Sequence, residues 1–328
     1  MIYLDIELFK KKIIRIEKSK EWQDFINKSE IGERYYKNDS DIKRKPAKTR
    51  NDSPLRAADN RDSYNWHGLF VDQKAGYMFG KEPTIDVGDP KLNKTIIKIL
   101  GDEWGKTLND LVIKASNASI SWIHYWKDKN NNFQYGIVPT GQVIPIYSDD
   151  LKHRLVGAVR KYVGYDENEN EIKIYEFWDD KECYYFIKNG DIFSNYSIVG
   201  EKETNHFTHN LKKVPFIYFN NNSIMENDLY MCKDLIDQFE KVSNGFANDI
   251  EDVQEIIFVL KGYGGEELQE FMKDLKDFKA VKTDDNGDVK TIKAEIPVEA
   301  RDKFLESLKK AIFLFGMGVN PDKESFGD

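Results

Sequence analysis

The sequence predicts an α+β fold, and three changes in hydrophobic period predict it. Up to about residue 119 the apolar side chains recur every three or four positions. From residue 120 they alternate, the period of half-buried strands. Beyond Pro215–Phe219 the helical spacing returns in two long stretches, separated by a short mixed segment. A length of 328 residues fits about two domains. With 40% of the residues hydrophobic and 13% aromatic, there is enough apolar material for a sizeable core.

In chain order, Ile13, Ile16, Trp22, Phe25 and Ile26 mark one or two amphipathic helices. Lys37–Arg56 follows, with seven basic and three acidic residues and almost no apolar ones; it reads as a long solvated loop, with a nucleic-acid arm as the sharper alternative. Tyr64–Met78 reads as a helix closed by Gly80 and Pro83, and Leu92–Leu100 and Thr107–Ser119 as two more, split at Gly101–Gly105. Strands are expected at Ile120–Trp126, Phe133–Val138, Val143–Tyr147, Leu155–Tyr165, Glu171–Trp178 and Glu182–Lys188. The polar links Asp166–Asn170, Asp179–Asp180 and Asn189–Asp191 have hairpin chemistry, so the whole run is expected to form an antiparallel meander.

Pro215–Phe219 is the last short strand before a helix over Asp228–Asp252. Its apolar positions Leu229, Cys232, Ile236, Phe239, Val242, Phe246, Ile250 and Val253 share one side. A compact insert is expected next: strand Ile256–Leu260, turn Gly262–Gly265, helix Glu266–Phe278, and a hairpin of Lys279–Thr283 and Val289–Ala294 turning at Asn286–Gly287. Pro297 then opens a second long helix, Val298–Phe315.

The formal net charge is −8, with 49 basic and 57 acidic residues. Such a balance argues against a protein that grips nucleic acid through its phosphates, because that affinity comes from clustered Lys and Arg. No stretch approaches a membrane span, and Met1–Asp24 has acidic residues and no cleavage signature, so neither membrane insertion nor a signal peptide is expected. Cys183 and Cys232 stand alone, which argues against a disulfide framework or zinc site.

The motifs that could carry catalytic chemistry each fall short. His206 and His209 form an HxxH just before a strand, where two ligands on one helical face are not expected, and a third ligand is missing. Gly262–Gly265 opens a helix as a phosphate-binding turn does, but the GxGxxG spacing fails and Glu266 and Glu267 already occupy that N-terminus. Asp284–Asp288 lacks the glycine position and bidentate Glu of a calcium loop. No Walker, GxSxG or HExxH motif exists. The expectation is no enzyme and no cofactor.

Several segments together resemble the portal proteins of tailed bacteriophages, in the SPP1-type branch. Asn60-Arg61 followed by Leu69–Lys81 is similar to the family's N-R…VD-x-K-x-GY-x-x-G-K/N-P segment, with Glu82 inserted before Pro83. Pro145–Tyr147 and Val156–Tyr162 resemble its wing meander. Val214–Asn221 and Lys233–Asp237 resemble the start of its stem, and Asn248–Asp252 and Val259–Tyr263 the passage into its clip.

The resemblance implies a portal-type fold: a wing over 1–226 (helical to about 119, antiparallel meander over 120–226), a first stem helix over 227–252, a clip over 253–297, a second stem helix over 298–315, and the start of a tunnel loop over 316–328. It further implies a ring of twelve copies at the capsid vertex, through which double-stranded DNA is packaged and ejected. Its partners would be the terminase large subunit, a head-completion or adaptor protein, and the major capsid and scaffolding proteins. Localisation would be the virion, and the host cytoplasm during assembly. Arg301, Lys303, Lys309, Lys310 and Lys323 are the candidate DNA contacts of the channel; pairing within the helix is the plainer role for these cations. Ile256, Ile257, Phe258, Val259 and Leu260 are the candidate subunit or terminase interface of the clip. Two other readings stand beside this one. A soluble hydrolase or nucleotide-binding enzyme would differ in oligomeric state, and a non-viral adaptor or toxin domain reusing the fold would differ in genomic neighbours.

Overall fold

The computed structural model describes residues 6–47, 58–81, 83–166, 168–197, 204–253, 257–261, 288–292 and 297–321. Two compact units emerge, and neither follows chain order: the first comprises Met1–Asp39, Asn65–Lys233 and Phe313–Asp328, the second Ser40–Tyr64 and Asp234–Ile312.

In the first unit the opening helical stretch is two helices, α1 (Ile6–Lys18) and α2 (Lys20–Tyr36). Ser19 makes the break without Gly or Pro. Its hydroxyl donates to the Ile16 carbonyl at the end of α1 and accepts from the Trp22 amide in the first turn of α2, at 2.8 and 3.2 Å. Three further helices follow, α3 (Trp66–Phe79), α4 (Pro90–Leu100) and α5 (Trp104–Ala118). Where α2 crosses α5 only glycine fits: a Cβ on Gly32 would stand 2.1 Å from the Asn117 carbonyl oxygen.

The strands form two sheets rather than one meander. β1 (Ile120–Lys127) is central in a three-stranded antiparallel sheet, flanked by β2 (Phe133–Val138) and β9 (Phe216–Asn220). The second sheet runs β3 (Val143–Tyr147), β4 (Leu155–Tyr165), β5 (Glu171–Trp178), β6 (Glu182–Asn189), β7 (Ile192–Asn195), with β8 (His206–Thr208) also on β6. The expected single meander therefore holds for β3–β6 only. β1 and β2 leave it because β1 pairs with β9, from Ile120↔Asn220 to His124↔Phe216, a partner nearly a hundred residues away.

Both faces of the larger sheet are covered, and this shows in β5, whose last five residues are all buried. Tyr175 and Phe177 point into a cluster with Phe9 and Ile13 of α1, Ile144, Val159 and Phe186. Trp178 points the other way, into a cluster with Ile120, Trp122, Ala158, Cys183 and Phe216. The alternation is that of a strand with a hydrophobic layer on each side.

The second unit holds the segment 40–64 and most of two long helices, α6 (Lys233–Val253) and α7 (Val298–Phe315). The first long helix starts five residues later than its apolar spacing predicts. Asp228–Met231 is a 3-10 turn, capped by Asn227, whose side-chain oxygen accepts from the Tyr230 amide at 3.0 Å. Between the helices, β10 (Ile257–Lys261) pairs antiparallel with β11 (Asp288–Ile292), from Ile257↔Ile292 to Lys261↔Asp288. The expected turns at Gly262–Gly265 and Asn286–Gly287, the helix Glu266–Phe278, strand Lys279–Thr283, Ile256 and Lys323 lie outside the described residues. No helix among the described residues is long and apolar enough to cross a membrane.

Candidate functional site

The residues with the most connected roles are those of the run Val71–Lys74 on α3. Successive helical residues project about 100° apart. Three neighbours in sequence therefore reach three different parts of the first unit. Asp72 accepts a hydrogen bond from the Tyr36 hydroxyl of α2 at 2.9 Å, and burial beside that carboxylate pushes the phenol up to about 12. Gln73 pairs with the chain that leaves α7: its amide nitrogen donates to the Val319 carbonyl and its oxygen accepts from the Val319 amide, both at 2.9 Å. Lys74 donates to Asn221 at 2.6 Å and to Asp228 at 2.8 Å, and Asn221 in turn donates to Asp228 at 2.7 Å. Thus one turn of α3 fixes α2, the chain after β9 and the chain after α7. Phe313, at the end of α7, packs edge-on against Trp66 and Phe70 of α3, with centroids 5.3 and 5.6 Å apart.

A second construction lies within the other unit, where the strap Asn60–Tyr64 runs along α6. Glu240, Asn244 and Asn248 stand four residues apart on one stripe of that helix. Glu240 accepts from the Tyr64 amide at 2.9 Å, the Ser63 hydroxyl at 3.1 Å and the Ser40 hydroxyl at 2.5 Å. Asn244 bonds both backbone groups of Asp62, accepting from its amide at 2.6 Å and donating to its carbonyl at 2.8 Å. Asn248 accepts from the Asn60 amide at 2.6 Å and from its side chain at 2.9 Å. Four helical residues rise about 6.0 Å and two extended residues about 6.6 Å, which is why alternate strap positions meet every fourth helical one. Glu240 is fully buried, and burial pushes its carboxyl above the usual carboxylate range despite the three donors, with Asp237 adding to the effect. Arg61 closes the strap on the loop before it, donating to the Lys45 and Pro46 carbonyls at 2.6 and 3.0 Å and pairing with Asp59.

The fold and both constructions can be set beside known proteins. The family profile described as "Phage portal protein, SPP1 Gp6-like" matches residues 17–328. The portal protein of Clostridium phage phiCD119 is 38% identical over 317 residues, covering 90% of this chain and 69% of that protein. The chain belongs to the SPP1-type phage portal family. The portal protein of Bacillus phage SPP1 is 30% identical over 307 residues, covering 90% of this chain and 61% of that protein, so the chain spans less than two thirds of this relative. Among solved structures it is similar to chains in the neck of an empty GTA particle (TM-score 0.49, 8% identity, 86% of this chain and 72% of that one) and of a native GTA particle (TM-score 0.40, 8% identity, 80% and 68%).

Portal proteins of this family are structural components of the capsid vertex rather than enzymes. Both motif halves of this portal chain, Asn60-Arg61 and Asp72-Gln73-Lys74, are occupied by internal hydrogen bonds. The residues expected to face a channel divide. Arg301 pairs with Asp249 of α6, its guanidinium 5.4 Å over the Phe246 ring. Lys303 is exposed and bonded to Glu299 one turn back, at 2.6 Å. Lys310 is exposed and Lys309 half-buried on the same helix. Lys303 and Lys310, seven residues apart, lie within about 20° of each other around α7. Of the expected clip interface, Ile257, Phe258, Val259 and Leu260 all sit in β10, where β11 covers one edge. Neither nitrogen of His209 is left for a metal: one donates to the Asp179 carbonyl and the other accepts from the Leu211 amide, each at 3.2 Å. No group of three or more His, Cys, Asp or Glu among the described residues is placed to hold a metal ion.

Sequence reasoning missed Glu240, Asn244 and Asn248. Their signal was present as polar residues at i, i+4 and i+8 directly beside the apolar stripe of Ile236 and Phe239.

Proposed function

We propose that copies of this chain form a twelve-membered ring through which double-stranded DNA enters and leaves the capsid, with the terminase large subunit docking near the paired strands β10 and β11 and a head-completion or adaptor protein joining the completed vertex. Membership of the portal family over residues 17–328 carries this reading and implies the ring itself. Twelvefold symmetry, the DNA path and the docking partners are our proposal.

A conduit has to present cations sparsely. Each neutralised phosphate adds to affinity through counterion release, so a dense basic lining would hold the duplex instead of passing it. The exposed Lys303 and Lys310 fit a sparse lining, and the net charge of −8 fits weak contact. The two-stranded β10–β11 element leaves one edge of β10 unpaired among the described residues, a surface on which a neighbouring strand can add. Negative-stain microscopy of the purified chain tests the reading: rings with a central hole support it, and a population of monomers and dimers alone overturns it.

A further inference from the structure

Helix α4 is complete at both ends, yet none of its residues is fully buried; on its apolar side only Ile96 and Leu100 are part-buried. The Asp89 carboxylate accepts from the Lys91 and Leu92 amides at 2.8 and 3.4 Å, and Gly101, at φ +75°, returns its amide to the Ile97 carbonyl at 2.9 Å. Eleven residues are too few for a stable helix standing alone in water, so its stability is expected from packing. Its side chains are sorted for that purpose. Leu92, Ile96, Ile97, Ile99 and Leu100 fall within an arc of about 160°, and Lys91, Lys94 and Lys98 within about 60° on the other side. Leu92, Ile97 and Ile99 are each about half exposed. The helix has no acidic residue of its own to pair with its lysines.

The same unit carries a feature of opposite character. The loop between β3 and β4 is braced by Asp150, which accepts from the Ser148 hydroxyl at 2.6 Å and from the Lys152 amide and Arg154 guanidinium at 3.1 Å each. Beside it the His153 ring stacks on Tyr147 at 4.6 Å. The braced loop holds Leu151 wholly in solvent, at 107% of its reference exposure, next to Asp149, whose carboxylate lies 3.5 Å from the Lys12 ammonium yet whose side chain remains 98% exposed.

We propose that the Leu151 tip of one copy docks on the α4 face of the next, Leu151 against the isoleucine and leucine stripe and Asp149 beside the lysine flank. Charge complementarity and the two unpartnered apolar surfaces select a second copy as the occupant. The two surfaces differ, so the contact is heterologous, the kind that propagates around a ring when the rotation closes. The inference rests on the ring reading and specifies one contact within it.

The test uses the full chain, with native mass spectrometry counting rings and circular dichroism confirming folding. Leu151→Asp, and separately Lys94→Glu with Lys98→Glu, are expected to lower the ring population at least tenfold while the subunits stay folded. Adding Asp149→Lys to the Lys94→Glu, Lys98→Glu chain is expected to restore it. In a chain carrying Ile99→Cys and Leu151→Cys, oxidation is expected to link copies into a ladder of dimers, trimers and higher species. Rings that persist in Leu151→Asp, a charge reversal that Asp149→Lys does not rescue, or the absence of a cross-linked ladder would each overturn the contact. Variants that form normal rings yet fail to enter capsids would assign α4 to another head protein and overturn it too. A wild-type chain that forms no rings in the same assay sinks the ring reading, and this contact with it.

Discussion

Arg301 of α7 is paired with Asp249 of α6, and the same guanidinium lies over the Phe246 ring. A cation expected to face DNA is thus engaged between the two long helices of its unit. Both side chains are about 30% exposed, at 27% and 33%, so the ion pair itself is worth at most about 1 kcal/mol. Arg301→Ala also loses the contact with the ring and is expected to destabilise by about 1–2 kcal/mol, Asp249→Ala by less. A double-mutant cycle on urea unfolding checks this. If Arg301 also touches DNA, Arg301→Ala lowers genome packaging further than Asp249→Ala does.

Lys309 and Lys310 provide the more direct trial of DNA contact. Lys309→Ala with Lys310→Ala is expected to lower the rate of DNA filling without changing ring formation. Unaltered filling removes both residues from the channel lining.

Gly32 should tolerate no side chain. Its Cβ would overlap the Asn117 carbonyl oxygen at 2.1 Å, a backbone atom that cannot rotate away as a side chain could. Gly32→Ala is expected to cost roughly 3 kcal/mol, read as a lower denaturation midpoint.

Two buried histidines set a pH dependence. His67 donates its Nε2–H to Asn117, and His124 donates its Nδ1–H to the Pro215 carbonyl; burial holds each down to about 4. The unfolded chain binds their protons near 6.5, so stability is full above that pH and falls as pH drops towards 4. From pH 7 to 5 each should remove about 2 kcal/mol. His67→Gln keeps a donor to Asn117 and should flatten its share of this slope in chemical denaturation at the two pH values.

Glu240 has the opposite sign. Its raised folded pKa means that its contribution is present below the ordinary carboxylate range and is lost as pH rises through the folded value. Glu240→Gln is therefore expected to be most destabilising in acid, by about 1–3 kcal/mol, with the gap to wild type narrowing as pH rises.

Local periodicity made most elements legible, because α4, β4, β5 and α7 each carry their own apolar pattern. β7 and β8 were not, being short and largely exposed, with no alternation to detect. The separation of α1 from α2 rests on a single serine hydroxyl, and the departure of β1 from the meander rests on a distant partner. The motif run Asp72-Gln73-Lys74 was visible as a pattern, but its three directions of contact exist only once α3 is folded. The Glu240–Asn248 stripe joins residues about 180 positions away, and no local window contains both sides.

The strap on α6 is short for a geometric reason. Its rungs advance about 6.6 Å on one side and 6.0 Å on the other, so each interval adds about 0.6 Å of mismatch. Over the two intervals between Glu240 and Asn248 this reaches about 1.2 Å, and a further rung would exceed what a hydrogen bond spans. The attachment therefore acts as a three-toothed key rather than a rail. It has one seating, and the helix can leave that seating only by releasing all three teeth together, so any axial movement of α6 along its strap would be stepwise rather than gradual.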